Sequence, residues 1–264
     1  MRSKLLSEIS EIKQASLVVV KIGSSSITGE NSSQLGLVCQ LVADLRKQDI
    51  AVVVVSSGAI ASSAPILGLT AKATDLPTSQ AMAAVGQLKL MADYQQQLVR
   101  HDLIAGQVLL TVENMENPQT RSNALQVFSR LLEMGVVPIV NENDTVATQE
   151  IRFGDNDGLA ANVATLLDAD LLILLSDVDA IYTGPPDNQG STPIARIGSE
   201  QDLQDVEISG TSTGFGTGGA LTKVSAALKV SEAGIPVMLT SVTNATKILD
   251  GKFTHTWFEA KNKL

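Results

Sequence analysis

Short uninterrupted apolar runs alternate along this chain with stretches whose apolar residues recur every three or four positions. The runs LVVVKI (17–22), AVVVVS (51–56), AGQVLLT (105–111), VVPIV (136–140), LLILLS (171–176) and IPVMLT (235–240) show no polar face. That pattern belongs to strands buried on both sides, as in a parallel sheet covered by helices. Between the first two runs, Leu35, Val38, Leu41, Val42 and Leu45 form a helical stripe, and Asn31 with Gln34 has the spacing of a capping box ahead of it. A second stripe, Leu125, Phe128, Leu131 and Leu132, stops at Gly135, a natural helix end. A third, Leu159, Val163, Leu166 and Leu167, is predicted to begin just after GDNDG (154–158). A fourth, Val224, Ala227 and Leu228, runs to Gly234. Strand, helix, strand at this rhythm predicts parallel pairing through right-handed crossovers. The expected class is α/β, a three-layer αβα sandwich around a mainly parallel open sheet.

Composition sharpens this picture. A length of 264 residues suits one large domain or two modest lobes. Hydrophobic residues make up 44% and aromatic ones 3%, so the core must be built mostly from Ala, Val, Leu and Ile. A formal net charge of −9 argues against a nucleic-acid partner, which needs clustered Lys and Arg. The single cysteine, Cys39, excludes an internal disulfide and a cysteine metal cluster, and its apolar helical surroundings predict a core thiol. His101 and His255 are far apart, which disfavours a zinc site or a histidine-based hydrolase. No apolar run approaches the roughly 20 residues that span a bilayer. The opening MRSKLLSEISEIKQ alternates charged and apolar residues, unlike a signal peptide, so a soluble cytoplasmic protein is expected.

In open parallel sheets the ligand crevice lies outside the carboxyl ends of the strands. Those ends carry Lys21-Ile22-Gly23-Ser24-Ser25-Ser26, Ser56-Ser57-Gly58-Ala59, Asn141-Glu142-Asn143-Asp144 and Ser176-Asp177. The stretch TGFGTGGALTK (213–223) contains G-x-G-x-x-G, but EISGTST before it forms no strand and no acid ends the next strand to hold a ribose. Ala220 and Leu221 after Gly219 exclude a Walker loop. Two readings remain: a mobile linker, or a glycine run whose N–H groups lead into a helix opened by Thr222 and Lys223, which would be a phosphate site. Lys21 at a strand end is either a snorkelling or ion-paired residue, or a second phosphate ligand. Asp155 and Asp157 are either helix-capping residues or site members. The loop TGPPDNQGSTP (183–193) either is simply solvated or helps to hold nucleotide. Two lysines beside glycine turns suit phosphoryl transfer, whose catalysis is mostly positioning and charge neutralisation.

Taken together, VVVKIGSSSIT, VVVVSSGAIA, QAMAAVGQ, GQVLLT, VVPIVNENDTVATQEIRFGDNDGLAA, LLILLSDVDAIYT and GFGTGGALTKVSAA resemble the glutamate 5-kinases of the amino-acid kinase family, in that family's order over roughly residues 15–260. NEND followed eleven residues later by DND, with GTGG and a later lysine, is the specific part of the resemblance. It implies that Lys21 and Lys223 contact the phosphates and the transferring group, with Asp157 orienting both. Ser57, Gly58, Ala59, Asp144 and Asn156 would bind the acceptor. Ser176, Asp177, Thr217, Gly218, Gly219, Ala220, Leu221 and Thr222 would join the lysines around ATP. No residue is expected to act as a dedicated metal ligand, although the family uses Mg²⁺ with ATP. The implied reaction phosphorylates the side-chain carboxylate of L-glutamate, the first step of proline biosynthesis, and needs no general base because a carboxylate is already ionised. Feedback by proline and a homodimer or homotetramer are implied likewise. A single domain is expected over 1–264, with an acceptor lobe to about 165 and a nucleotide lobe from about 166. Three departures stand out: no room for the family's C-terminal PUA domain, YTGPPD in the 183–193 loop, and His255 in place of a glycine. The alternatives are a relative acting on acetylglutamate, aspartate, carbamate or UMP, and a nucleotide- or proline-sensing protein without turnover.

Overall fold

The computed structural model describes residues 2–69, 73, 75–147, 156–186, 188, 190–204, 206, 220–251 and 253–261, with side chains from Glu8 onward. In chain order the first half runs α1 (Arg2–Gln14), β1 (Leu17–Ile22), α2 (Leu35–Arg46), β2 (Ala51–Ser56), α3 (Ala59–Leu67), α4 (Leu76–Leu98), β3 (Ala105–Leu110), α5 (Val112–Glu116), α6 (Pro118–Glu133) and β4 (Val137–Glu142). It continues with α7 (Asn156–Leu166), β5 (Leu171–Ser176), β6 (Ile181–Tyr182), β7 (Pro193–Ile194), β8 (Arg196–Ile197), α8 (Ala220–Glu232), β9 (Val237–Ser241) and β10 (Thr256–Phe258). Eight strands form one sheet in the order β3-β4-β2-β1-β5-β9-β10-β8, and β6 pairs with β7 apart from it. Every pairing in the large sheet is parallel except β9 with β10.

The period-two alternation of the strands sorts the core into two layers. Val18, Val20 and Ile22 of β1 share a cluster with Val52, Val54, Ile173 and Leu175, covered by α2 and α4. Val19 of β1 faces the other way with Val53, Val55, Leu172 and Leu174, under α6, α7 and α8. This is the three-layer sandwich expected from the apolar runs. The alternation has one chemical consequence. Lys21 is in register with Val55 on one side and Leu174 on the other, so it is committed to the second apolar layer and must find its partner there.

The predicted helices form, with differences in detail. Asn31 and Gln34 do not cap α2: Asn31 donates to the Ser25 carbonyl and Gln34 donates to Asn31, because the chain ahead of α2 folds as a tight 3₁₀ segment. Leu125 is exposed on α6, whose buried anchors are Ala124 and Phe128. Helix α7 begins at Asn156, earlier than predicted, so Asn156 and Asp157 lie in its first turn. Gly135 (φ 74°) and Gly234 (φ 86°) follow α6 and α8 in the left-handed conformation. Cys39 is buried, and burial pushes its thiol up to about 12. His255 holds α1 to the far edge of the sheet: its Nε2 lies 2.8 Å from Glu8 Oε2, while Arg196 donates to Glu8 at 2.6 Å and to Glu259 at 2.6 Å. Among the described residues no helix is long and apolar enough to cross a membrane.

Helices α3 and α4 approach so closely that Gly86 has no room for a side chain; a β-carbon there would collide with the Ala59 carbonyl. Gly86→Ala is therefore expected to destabilise the protein by about 3 kcal/mol, at the upper end of ordinary overpacking. Urea unfolding would show this as a lower midpoint at unchanged slope.

Candidate active site

Three segments far apart in sequence meet above the carboxyl end of β1. Lys21, 3% exposed, forms an ion pair with Oδ1 of Asp157, which is fully buried in the first turn of α7. Lys223, in the first turn of α8, places Nζ 3.4 Å from Oδ2 of the same carboxylate. Thr222 donates to that oxygen at 3.3 Å. One carboxylate thus draws two ammonium groups together. Burial acts to raise the Asp157 carboxyl, but the neighbouring ammonium groups of Lys21 and Lys223 outweigh it and hold the group below its ordinary value. The turn after β1 folds back over this cluster: a β-carbon on Gly23 would stand 4.0 Å from Lys21 Nζ.

Toward β2 and β4 the strand ends are knitted by amides. Asn156 donates through Nδ2 to the Ser56 carbonyl and to Asn141 Oδ1, both at 2.7 Å. Asn141 donates in turn to Gln87 Oε1 of α4 at 2.8 Å. Ser57, Gly58 and Ala59 follow directly, with Gly58 at φ 109° opening α3 and lying against the methyl group of Thr28. Only glycine takes that backbone conformation without strain. Asp144 is half-buried in the turn after β4.

Toward β5 and β9, Ser176 donates to Asp177 at 2.9 Å and is in register with Ser241. Ala220 and Leu221 begin α8 ahead of Thr222 and Lys223. Thr217, Gly218 and Gly219, with the rest of 207–219, lie outside the described residues, as does Asp155. The structure therefore brings Lys21, Asp157, Thr222 and Lys223 into direct contact. Asn156 stands beside Asp157 in the same turn, and Ser57, Asp144 and Ser176 sit at neighbouring strand ends.

Sequence reasoning quoted QAMAAVGQ (80–87) of α4 for its resemblance but gave its residues no role, yet this helix clasps the site. Gln80 donates to the Ala147 carbonyl at 3.1 Å, Gln87 accepts from Asn141, and Tyr94 donates to Ser56 Oγ at 2.9 Å. These residues are seven positions apart, which returns each to one face of a helix after two turns. That spacing was the available signal.

Asp157→Asn should lower stability near pH 7 by about 3–5 kcal/mol, since it strips two buried ammonium groups of their counter-charge. A carboxyl held low in the folded state stabilises above its unfolded value of about 4, and this contribution disappears as pH falls through the folded value. The difference between wild type and variant should therefore shrink on acidification below about pH 4. Denaturant titrations at pH 7 and pH 3 measure both.

The model of the amino acid kinase family matches residues 16–241. A glutamate 5-kinase of Leifsonia xyli subsp. xyli is 53% identical over 249 residues, which cover 94% of this chain and 92% of that protein. One from Salinispora arenicola is 51% identical over 252 residues, covering 94% of this chain and 68% of that protein. Carbamate kinase from Giardia lamblia bound to AMP-PNP superposes with a TM-score of 0.67 at 15% identity, over 94% of this chain and all of that one, a likeness of fold. The chain belongs to the amino acid kinase family, in its glutamate 5-kinase branch.

Proposed function

We propose that this protein transfers the γ-phosphate of ATP to the side-chain carboxylate of L-glutamate, giving L-glutamyl 5-phosphate for proline biosynthesis. The observation that carries the proposal is the shared Asp157 carboxylate between Lys21 and Lys223. Both reactants are anionic, and the transferring group spreads negative charge over several oxygens. Two ammonium groups fixed in a largely buried site oppose that charge far better than they would in water. Asp157 is the positioning residue that sets their spacing. The acceptor needs no base, because its carboxylate is ionised at neutral pH.

On this reading Ser57, Gly58, Ala59, Asp144 and Asn156 bind glutamate, with Asp144 facing the ammonium. Ser176, Asp177 and the run Thr217 to Lys223 bind ATP. The acceptor lobe extends to about residue 165 and the nucleotide lobe follows it. Among the described residues no three His, Cys, Asp or Glu side chains gather as a metal cage would require, and Asp157 is engaged by lysines. Mg²⁺ entering with ATP would be held by phosphate oxygens and water and would supply neutralisation of phosphate charge. A cytoplasmic location, feedback by proline, and assembly as a dimer or tetramer complete the reading.

ADP release with L-glutamate, N-acetylglutamate, aspartate, carbamate and UMP, in the presence of ATP and Mg²⁺, tests the assignment. Turnover should be highest with L-glutamate, and hydroxylamine should trap the acyl phosphate as a hydroxamate. Rapid release with N-acetylglutamate and none with L-glutamate would overturn it. Lys21→Ala and Lys223→Ala should each reduce kcat at least about 100-fold, some 3 kcal/mol of transition-state stabilisation. Asp144→Ala should instead raise KM for glutamate, and an unchanged KM removes its assigned role.

A further inference from the structure

The line of amides from α4 to α7 has a polarity set by two main-chain groups. The Ser56 carbonyl can only accept, so the Asn156 atom facing it is Nδ2. The Glu142 N–H can only donate, so the Asn141 atom it meets at 2.9 Å is Oδ1. That oxygen also receives the second Asn156 N–H. Asn141 must then turn its own Nδ2 toward α4, where Gln87 accepts through Oε1. Gln87 is left with its Nε2 directed away from Asn141. This nitrogen is buried and has no hydrogen-bond partner among the described residues.

Rotating the Gln87 amide gives no relief, because it would set one NH₂ group against another. The other two polar residues of the same α4 face have protein partners, Gln80 at Ala147 and Tyr94 at Ser56. Gln87 alone of the three keeps an unused buried donor, two hydrogen bonds away from Asn156. A buried donor without a partner is costly, and a ligand oxygen at that position would remove the cost.

We propose that Gln87 is a specificity-determining residue of the acceptor site, its Nε2 donating to a carboxylate oxygen of the substrate while Asn141 pins its Oε1. This rests on the reading of the chain as a kinase of glutamate, whose acceptor presents two carboxylates. The residue selects for a carboxylate or other anionic oxygen at this end of the crevice, and against a substrate that offers only donors there.

Gln87→Glu separates the two halves of the amide. It preserves the oxygen that Asn141 needs and replaces the donor with a second oxygen, anionic at pH 8. Gln87→Met removes both halves. Affinities for L-glutamate and, separately, for an unhydrolysable ATP analogue are read by calorimetry at pH 8 on wild type and both variants, alongside KM, kcat and thermal unfolding. Both variants should bind glutamate at least about tenfold more weakly and raise its KM to match. Nucleotide affinity should stay within about twofold, and Gln87→Glu should unfold near the wild-type temperature. Wild-type glutamate affinity in Gln87→Glu overturns the inference, since the relay to Asn141 would then be the residue's whole role. Equal losses for glutamate and nucleotide overturn it as well, since they mark a structural defect. If wild type takes a different carboxylic acid of the panel, the reading as a glutamate kinase fails while the same ratio, read with that acid, still decides Gln87. A wild type that binds none of them overturns both.

Discussion

An ionised carboxylate with no exposed surface depends on the charges beside it. Asp157 and Lys21 occupy a layer otherwise built from Val19, Val53, Val55, Leu172 and Leu174. Desolvating each ion costs several kcal/mol, recovered only when the partner charges arrive in good geometry. The partners sit on β1, α7 and α8, so none of these elements reaches its final state alone. Sheet and helices must close together around the triad. A trio of apolar residues would pack this layer at lower cost, so the charges are better explained by chemistry than by stability. The site is consequently part of the core rather than a loop laid on top of it, and its spacing is as rigid as the packing around it.

The same physics decides what the sequence disclosed. Six of the strands could be placed because a strand buried on both faces must be apolar throughout, and β1, β2 and β5 have the predicted bounds. The short strands β6, β7, β8 and β10 have two or three residues each, too few for any periodicity to register. The antiparallel turn of β10 onto β9 was invisible for the same reason. Lys21 was conspicuous as a charge ending an apolar run, and Lys223 as a charge after glycines. Asp157 as the common partner of both came only from the family resemblance, because the residues read by themselves left it between a helix cap and a site member. An aspartate near a helix start has an ordinary explanation as a cap, and only the docking of α7 against β1 and α8 turns it inward.

Helix α4 marks the sharper limit. Gln80, Gln87 and Tyr94 are unremarkable one at a time, since glutamine in a helix is usually a solvated residue. Their role depends on how closely α4 is seated, and that is fixed by the contact of Gly86 with Ala59 just beyond the end of β2. A glycine there lets α4 seat closely against the start of α3, so that its side chains reach the strand ends. Residues on such a clamped helix hold their directions better than residues on a loop, which is what a polar site requires.

The sheet order then explains why β1 carries the shared lysine. On the proposed reading, every acceptor residue from β2 and β4 lies to one side of β1, and the nucleotide residues of β5 lie to the other. Lys21 has a β2 neighbour and a β5 neighbour in register, so its ammonium stands at the seam between the two halves. A group passing from nucleotide to acceptor must cross that seam. Lys223 comes from the nucleotide side and meets Lys21 on the one carboxylate between them, which leaves positive charge along the crossing path at both its start and its middle. Moving Lys21 one residue along β1 would turn it to the opposite face, against α2 and α4, and no helix on that side presents a carboxylate in the position of Asp157 among the described residues. The placement of a single lysine in the period-two pattern thus joins the fold to the proposed chemistry.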